Sequence, residues 1–351
     1  MKHSLTQIGR ILIMRRKNFY IIAAIMLLFG ISSCRNSGTG KQDAELVFRM
    51  ALQPNEANKV WEAANLVKQE LERRSNGRIR VMFYPSGVLG NEQQLLETCY
   101  LGIIEMVQVT SSVVTTLDPT FDTFDMPFLF LDEEHHQKVL NGDIGTELLN
   151  GLNKNKLQGL AFYSCGFRSI YANKPVTSPE DLSGMKIRVM ESPVMIESLI
   201  RMGASATPLS ASEVFTALKT GVVDGAENNP NVFVAAAHIE AVKYYSLTRH
   251  FANQHVLVVN KEWLDIVKEN QPDLHELLIT VPRDIMQEYN KRWNEAIDIA
   301  FQDMTDQGGT IVEIEKENIL RFIENVQPVY DMKKETVPPE LVERIRKEAE
   351  L

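Results

Sequence analysis

Short apolar stretches alternate with amphipathic helical patterns along most of the chain. Residues 46–52 are apolar and favour a strand, and residues 57–74 place apolar side chains at helical spacing. The same patterns predict further strands at 78–84, 105–109, 159–163, 186–190 and 255–259, and helices at 91–101, 194–202, 210–219, 232–242 and 272–306. This alternation predicts an α/β fold with a largely parallel sheet, in which ligands bind at the carboxyl ends of the strands.

The N-terminal segment has the pattern of a secretory signal. Residues 1–33 carry five basic side chains and no acidic one, and an apolar run from Phe19 to Ile31 is followed by small residues. This run is shorter than the roughly 20 apolar residues that span a bilayer. The last four residues of the pattern, Ile-Ser-Ser-Cys, resemble a bacterial lipobox, which implies cleavage before Cys34 and a diacylglycerol on its sulfur; the alternative is plain signal cleavage with an incidental cysteine.

We therefore predict a lipoprotein signal peptide at 1–33 and a flexible polar tether at 34–44. The expected location is the periplasm of a Gram-negative-type bacterium, with the protein anchored in a membrane through Cys34.

Charge and cysteine content narrow the class of protein. The chain of 351 residues has 37 basic and 46 acidic residues, for a net charge of -9, and removal of the five basic residues of the signal leaves about -14. An acidic chain is not expected to bind nucleic acid, which needs a clustered basic surface. Three cysteines exclude a disulfide scaffold or a cysteine-rich zinc module, and Cys99 and Cys165 are predicted to be inert.

No catalytic or metal motif is evident. The chain lacks a Gly-x-Ser-x-Gly elbow, a Walker loop and a Gly-x-Gly-x-x-Gly turn at a strand end. His135 and His136 follow two glutamates in the wrong order for a zinc protease, and His250 and His255 lack a third metal ligand nearby. The sequence thus predicts a protein that is not an enzyme and holds neither metal nor cofactor.

Two arginines lie in or just after predicted strands, where α/β proteins often place the side chains that bind ligands. Arg168 follows a predicted strand, and Arg188 lies inside the short apolar strand 186–190. A buried arginine is costly unless it is paired. A bound carboxylate matches the guanidinium with two parallel hydrogen bonds, whereas a structural salt bridge would satisfy it equally. Spacing alone does not decide between the two.

Six short segments follow one another along the chain: 84–90 (YPSGVLG), 124–130 (FDMPFLF), 181–189 (DLSGMKIRV), 203–208 (GASATP), 213–218 (EVFTAL) and 221–229 (GVVDGAENN). In this order they resemble motifs of the DctP family, the solute-binding subunits of tripartite ATP-independent periplasmic (TRAP) transporters. The resemblance runs from about Leu46 to Pro328. It implies two α/β lobes of a periplasmic-binding-protein-like fold, joined by crossing hinge strands, with a ligand cleft between them and a long helix that spans both.

That helix would be residues 272–306. The implied lobe I is 45–165 with 254–293, and the implied lobe II is 166–253 with 294–351. Closure around ligand would then be a hinge motion.

The resemblance also assigns site residues. It implies that Arg188 makes the bidentate salt bridge to the substrate carboxylate, that Arg168 is a second cationic contact, and that Asn228 donates a hydrogen bond nearby. The resemblance also implies that Glu92 contacts ligand hydroxyls. Glu191 and Ser192, which follow the strand of Arg188, and Ser111 or Ser112, at the end of the strand 105–109, could make similar contacts. One departure is Ala211, at a position that is often aromatic in the family.

The expected ligand is a sugar acid, in particular a hexuronate, which would be delivered by a monomeric protein to the TRAP membrane permease subunits. A C4-dicarboxylate is the alternative, although acidic residues near the second end of the site disfavour it. Two other functions remain open: a ligand-loaded sensor for a membrane kinase, and a secreted enzyme on acidic sugars with His255 or Glu92 as general base.

Overall fold

Nine strands within residues 44–349, the part of the chain that the structure describes, form one mixed sheet in this computed structural model. Their order is β2-β1-β3-β8-β4-β7-β5-β6, and β9 pairs with β8. The strands are β1 (Leu46–Leu52), β2 (Ile79–Tyr84), β3 (Met106–Thr110), β4 (Leu157–Ala172), β5 (Lys186–Val189), β6 (Ser205–Pro208), β7 (Gly225–Asn228), β8 (Tyr244–Asn260) and β9 (Thr310–Val312). The predicted signal peptide and Cys34 lie outside the described residues.

Helices connect these strands and cover the sheet. They are α1 (Val60–Arg74), α2 (Glu92–Tyr100), α3 (Ser111–Val114), α4 (Glu133–Asn141), α5 (Asp143–Gly151), α6 (Pro193–Met202), α7 (Val214–Lys219), α8 (Pro230–Ala235), α9 (Lys261–Asn270), α10 (Pro272–Asp284), α11 (Met286–Asp306), α12 (Lys316–Lys333) and α13 (Pro339–Glu348). Across residues 44–349 no helix has the length and apolar character needed to cross a membrane.

Two long antiparallel strands, β4 and β8, tie the two halves of the sheet together. β8 pairs with β3 near its C-terminal end and with β9 near its N-terminal end, while β4 pairs with β8 along its length and with β7 at 169–172. Their pairing shifts register between Ser164 and Phe167, where Gly166 has a φ of 66°. A positive φ favours glycine, which lacks a Cβ. The interruption lies where the predicted lobe boundary crosses β4.

The sequence predicted only the apolar parts of these two strands, at 159–163 and 255–259. Their remaining residues include many buried polar side chains, for example Arg168, His250 and Gln254. Such residues interrupt the apolar run on which the prediction rested, although the backbone continues as a paired strand.

The predicted helix 272–306 is two helices. α10 ends at Asp284 and α11 begins at Met286, with Ile285 between them at ψ -6°. Pro282 has no backbone N–H to donate and so weakens the last turn of α10. The predicted helix 232–242 is also shorter, because Ala237 adopts a left-handed conformation after α8. The C-terminal helices α12 and α13 were not predicted.

Apolar side chains fill both faces of the sheet. The largest cluster extends across the sheet from Val107 and Phe162 to Ile187 and Met195. A second cluster packs α1, α10 and α11 against β1, and a third surrounds Tyr171 and Phe233. These cores cover the two faces of the sheet, which leaves the ends of the strands available to form a site.

Candidate ligand-binding site

A cavity of about 650 Å³ opens at the carboxyl ends of the strands. Its lining includes residues at or just after the ends of β1, β2, β3, β5, β6 and β7. This is where ligands bind in α/β sheets. Five of the six predicted ligand-binding residues line this cavity: Arg188, Arg168, Asn228, Glu92 and Glu191. A second cavity of about 600 Å³, lined in part by Phe167, Trp293 and Phe301, contains none of the six.

Arg188, on β5, is a buried cation with no carboxylate partner within residues 44–349. It is 3 % exposed, and its Nε and Nη2 both donate to the carbonyl oxygen of Leu209, at 2.9 and 2.6 Å. Burial lowers the pKa of Arg188 and outweighs the charge of Glu227, which raises it; the nearby Arg168 adds to the lowering. An arginine stays protonated at physiological pH even so. The cavity therefore presents a desolvated positive charge that an anion would stabilise.

Arg168, on β4, is already paired. Its Nε and Nη2 donate to the two carboxylate oxygens of Glu227, the second at 2.8 Å, and both side chains are buried. Its Nη1 also donates to Asn228 Oδ1 at 3.0 Å. Burial lowers the pKa of Arg168, but the charge of Glu227 and its hydrogen bonds together outweigh this, so the pKa is raised overall. The structural salt bridge left open by the sequence is thus present at Arg168, although this side chain also lines the cavity.

Asn228 completes a group of donors on this side of the cavity. Its Oδ1 accepts from Arg168 and from the backbone N–H of Asn229 at 2.9 Å, which leaves its amide nitrogen as the group able to donate to a ligand. We call Arg168, Arg188 and Asn228 the cationic wall.

Three residues line the other side of the site: Glu92 at the start of α2, Thr110 at the end of β3 and Ser112 in α3. We call these three residues the acceptor wall. Thr110 Oγ1 donates to Glu92 at 2.7 Å and lies 3.3 Å from His255 Nε2. Because the threonine proton is committed to the glutamate, His255 Nε2 must donate to Thr110. His255 Nδ1 is then an acceptor, and it is buried without a partner in the described chain. Burial also lowers the pKa of His255, which favours the neutral ring.

The last two predicted contacts, Glu191 and Ser111, differ in position from the other four. Glu191 is exposed at the rim of the cavity. Ser111 lies outside the cavity: it is fully buried, and its hydroxyl accepts from Gln254 Nε2. Of the serines expected as ligand contacts, Ser112 and Ser192 do line the cavity, whereas the first turn of α3 directs Ser111 into the core.

Asn253 lines the cavity and was not predicted. Its Oδ1 is buried and has no partner among residues 44–349. It lies two residues before His255 on β8, so both side chains point to the same side of the strand. Extending the predicted strand from 255 back to 244 would have revealed this pair. As for metals, residues 44–349 contain no cluster of three ligating side chains.

The fold and the site define a two-lobed α/β solute-binding protein. Residues 50–336 match the family described as bacterial extracellular solute-binding protein, family 7 (DctP), and the chain belongs to this family. The predicted resemblance and fold class are confirmed. Members of the family bind solutes for transport and are not enzymes.

Solved structures and a named relative agree with this assignment. A TRAP periplasmic solute-binding protein from Citrobacter koseri with bound D-glucuronate is 32% identical, with a TM-score of 0.80 over 86% of this chain and 98% of that one. One from Xanthobacter autotrophicus with bound β-D-galacturonate is 33% identical, with a TM-score of 0.79 over the same shares. The C4-dicarboxylate-binding periplasmic protein DctP of Rhodobacter capsulatus is 31% identical over 78% of this chain and 82% of that protein.

The Arg168–Glu227 pair generates a stability prediction. Glu227→Gln keeps the shape of the side chain but leaves Arg168 buried without a counter-charge, so we expect the free energy of unfolding to fall by about 3–5 kcal/mol. Denaturant unfolding measures this. The exposed pair Arg321–Glu180 supplies the control, since Glu180→Gln should leave the free energy of unfolding nearly unchanged. Equal stability of both variants would contradict the structural role given to Glu227.

Proposed function

We propose that this protein captures a sugar acid, most specifically a hexuronate, and delivers it to the membrane permease of a TRAP transporter. The observation that carries the proposal is Arg188, a buried cation in the cavity that donates to a backbone carbonyl and forms no salt bridge with a carboxylate of residues 44–349. A ligand carboxylate would supply the missing counter-charge through the guanidinium fork. Arg168 and Asn228 would add further donors to the same carboxylate.

The acceptor wall supports a hydroxylated ligand. Glu92, in this wall, is a carboxylate. Outside the wall but also lining the cavity, His255 and Asn253 each have a buried atom able to accept a hydrogen bond. A hexuronate has one carboxylate for the cationic wall and several hydroxyl donors for these acceptors. The uronates bound by the Citrobacter and Xanthobacter proteins support the same ligand class.

A C4-dicarboxylate is the second candidate, favoured by the Rhodobacter relative. Its second carboxylate would have to lie near Glu92 or Glu191, where like charges repel. Sugar acids therefore fit the charges of the cavity better.

We propose that closure of the two lobes, 45–165 with 254–293 and 166–253 with 294–351, encloses the ligand. The register shift in β4 at Gly166 supports a hinge there. Arg188 and Arg168 belong to the second of these lobes and Glu92 to the first. A ligand that pairs with both walls would thus favour the closed state.

We also propose that the mature protein is a monomeric periplasmic lipoprotein, held at a membrane by a lipid on Cys34. The basic, apolar and small-residue segments before this cysteine support the proposal. The polar stretch 35–43 would then separate the binding domain from the membrane.

A thermal-shift screen tests the ligand class. D-glucuronate and D-galacturonate should raise the melting temperature, because a ligand that binds only the folded state stabilises it by RT ln(1 + [L]/Kd), about 2.7 kcal/mol at 100 times Kd. Succinate and malate should produce little shift. Stabilisation by the dicarboxylates and not by the uronates would overturn the assignment in favour of the second candidate.

Arg188→Lys tests the carboxylate contact. Lysine keeps the charge but not the fork of parallel donors, so we expect D-glucuronate to bind at least about 30-fold more weakly, or about 2 kcal/mol. Isothermal titration measures this, and the melting temperature shows whether the fold survives. Arg201→Lys, at an exposed arginine of α6 paired with Glu197, is the matched control and should bind like wild type. Wild-type affinity in Arg188→Lys would disprove the contact.

Cys34→Ser tests the anchor. In the producing bacterium, the wild-type protein should fractionate with membranes and the variant with soluble periplasmic contents, as followed by immunoblotting. Mass spectrometry of the wild-type N-terminal peptide should show a lipid-sized addition at Cys34. An unmodified Cys34 would refute the anchor without affecting the binding proposal.

A further inference from the structure

A buried carboxylate, Asp125, links two serines of the cavity. Asp125 is 1 % exposed and ends the short 3₁₀ helix Pro119–Asp125. Ser112 Oγ donates to its Oδ1 at 2.5 Å, and Ser192 Oγ donates to its Oδ2 at 2.6 Å. Both serines line the cavity, Ser112 just after β3 and Ser192 just after β5, so Asp125 contacts both sides of the site.

These contacts determine how the serines present themselves. An ionised carboxylate only accepts hydrogen bonds, so each serine must donate its single hydroxyl proton to a hydrogen bond with Asp125. The remaining lone pairs of each hydroxyl can only accept. Ser192 uses part of this capacity on the backbone N–H of Met195, at 3.4 Å, whereas Ser112 shows no such second bond within the described chain. A protonated Asp125 would instead donate to one serine and release that serine's proton.

The charge of Asp125 is sensitive to pH in the neutral range. Burial raises its pKa to about 7; the bonds from Ser112 and Ser192 lower it, the neighbouring Asp122 raises it, and the Arg168 charge lowers it. Asp122 is itself paired with Lys333 of α12. Four buried histidines titrate lower: the pKa is about 4 for His136 and His238, about 3 for His250, and lowered also for His255.

We infer that Asp125 is a positioning residue for ligand specificity: as a carboxylate it holds Ser112 and Ser192 as hydrogen-bond acceptors, so that the cavity selects a carboxylate ligand whose remaining polar groups are hydroxyl donors. This inference rests on the proposed function. Binding of such a ligand requires ionised Asp125, so binding releases a proton when Asp125 is partly protonated in the free protein. The affinity accordingly falls as the pH falls through about 7.

Isothermal titration of the purified protein with D-glucuronate at pH 6, 7 and 8 tests the inference. The affinity should be about tenfold lower at pH 6 than at pH 8, because at pH 6 most molecules carry a protonated Asp125 that must lose its proton before binding. Repeating the titration at pH 7 in buffers of different ionisation enthalpy should reveal release of about half a proton per ligand. The ligand carboxylate stays ionised over this range and does not contribute.

Asp125→Asn separates this role from a merely structural one. The amide donates to one serine as a protonated acid would, so the affinity at pH 8 should fall about tenfold and lose both its pH dependence and its proton release. Asp118→Asn is the matched control, at a buried carboxylate of the same segment that pairs with Lys154 and lies outside the cavity. It should retain the wild-type pH profile.

Each outcome has a distinct meaning. Absence of sugar-acid binding by the wild-type protein would refute the proposed function itself. Binding by wild type with a flat pH profile and no proton release would refute only the role of Asp125. If Asp125→Asn does not fold, the wild-type proton release still decides the question together with Ser112→Ala, which removes one acceptor and should weaken D-glucuronate binding about 5- to 10-fold. Unchanged affinity in that variant would also contradict the inference.

Discussion

The site depends on an imbalance of buried charge. The positive charge of Arg168 lowers the pKa of the nearby Arg188, yet Glu227 forms its two-pronged salt bridge with Arg168 alone. Arg188 has a backbone carbonyl in place of a carboxylate. A buried charge without a partner lowers the free energy of unfolding. Stabilising contacts elsewhere in the protein therefore offset the cost of keeping this anion-binding position. The arrangement of the other polar groups in the cavity complements this unpaired cation.

Hydrogen-bond acceptors elsewhere in the cavity complement that charge. Glu92 accepts from Thr110, His255 donates to Thr110, and Asp125 accepts hydrogen bonds from two serines. These bonds direct protons away from the cavity and lone pairs toward it. An acidic protein that binds an acidic metabolite gains nothing from its net charge, so selectivity arises from the separation of donors and acceptors inside a site of low dielectric.

The elements that sequence patterns predicted well are those whose apolar periodicity matches one regular structure. β1, β2, α2 and α6 agree closely with the predicted ranges. The crossing strands β4 and β8 were predicted at a third of their length, because side chains such as Arg168 and His250 interrupt the apolar run while the backbone continues. The long helix was predicted whole, because the pattern of apolar positions continues across the break at Ile285.

The sequence alone determined the α/β class, the order of most elements, the family resemblance and the arginines of the site, since these follow from local periodicity and from motifs of a few residues. Only the tertiary structure decided which arginine is paired. It also showed that Ser112 rather than Ser111 lines the cavity, and that Asp125 joins Ser112 to Ser192. Those facts depend on contacts between residues 13 to 143 positions apart, and local sequence carries no record of such distances.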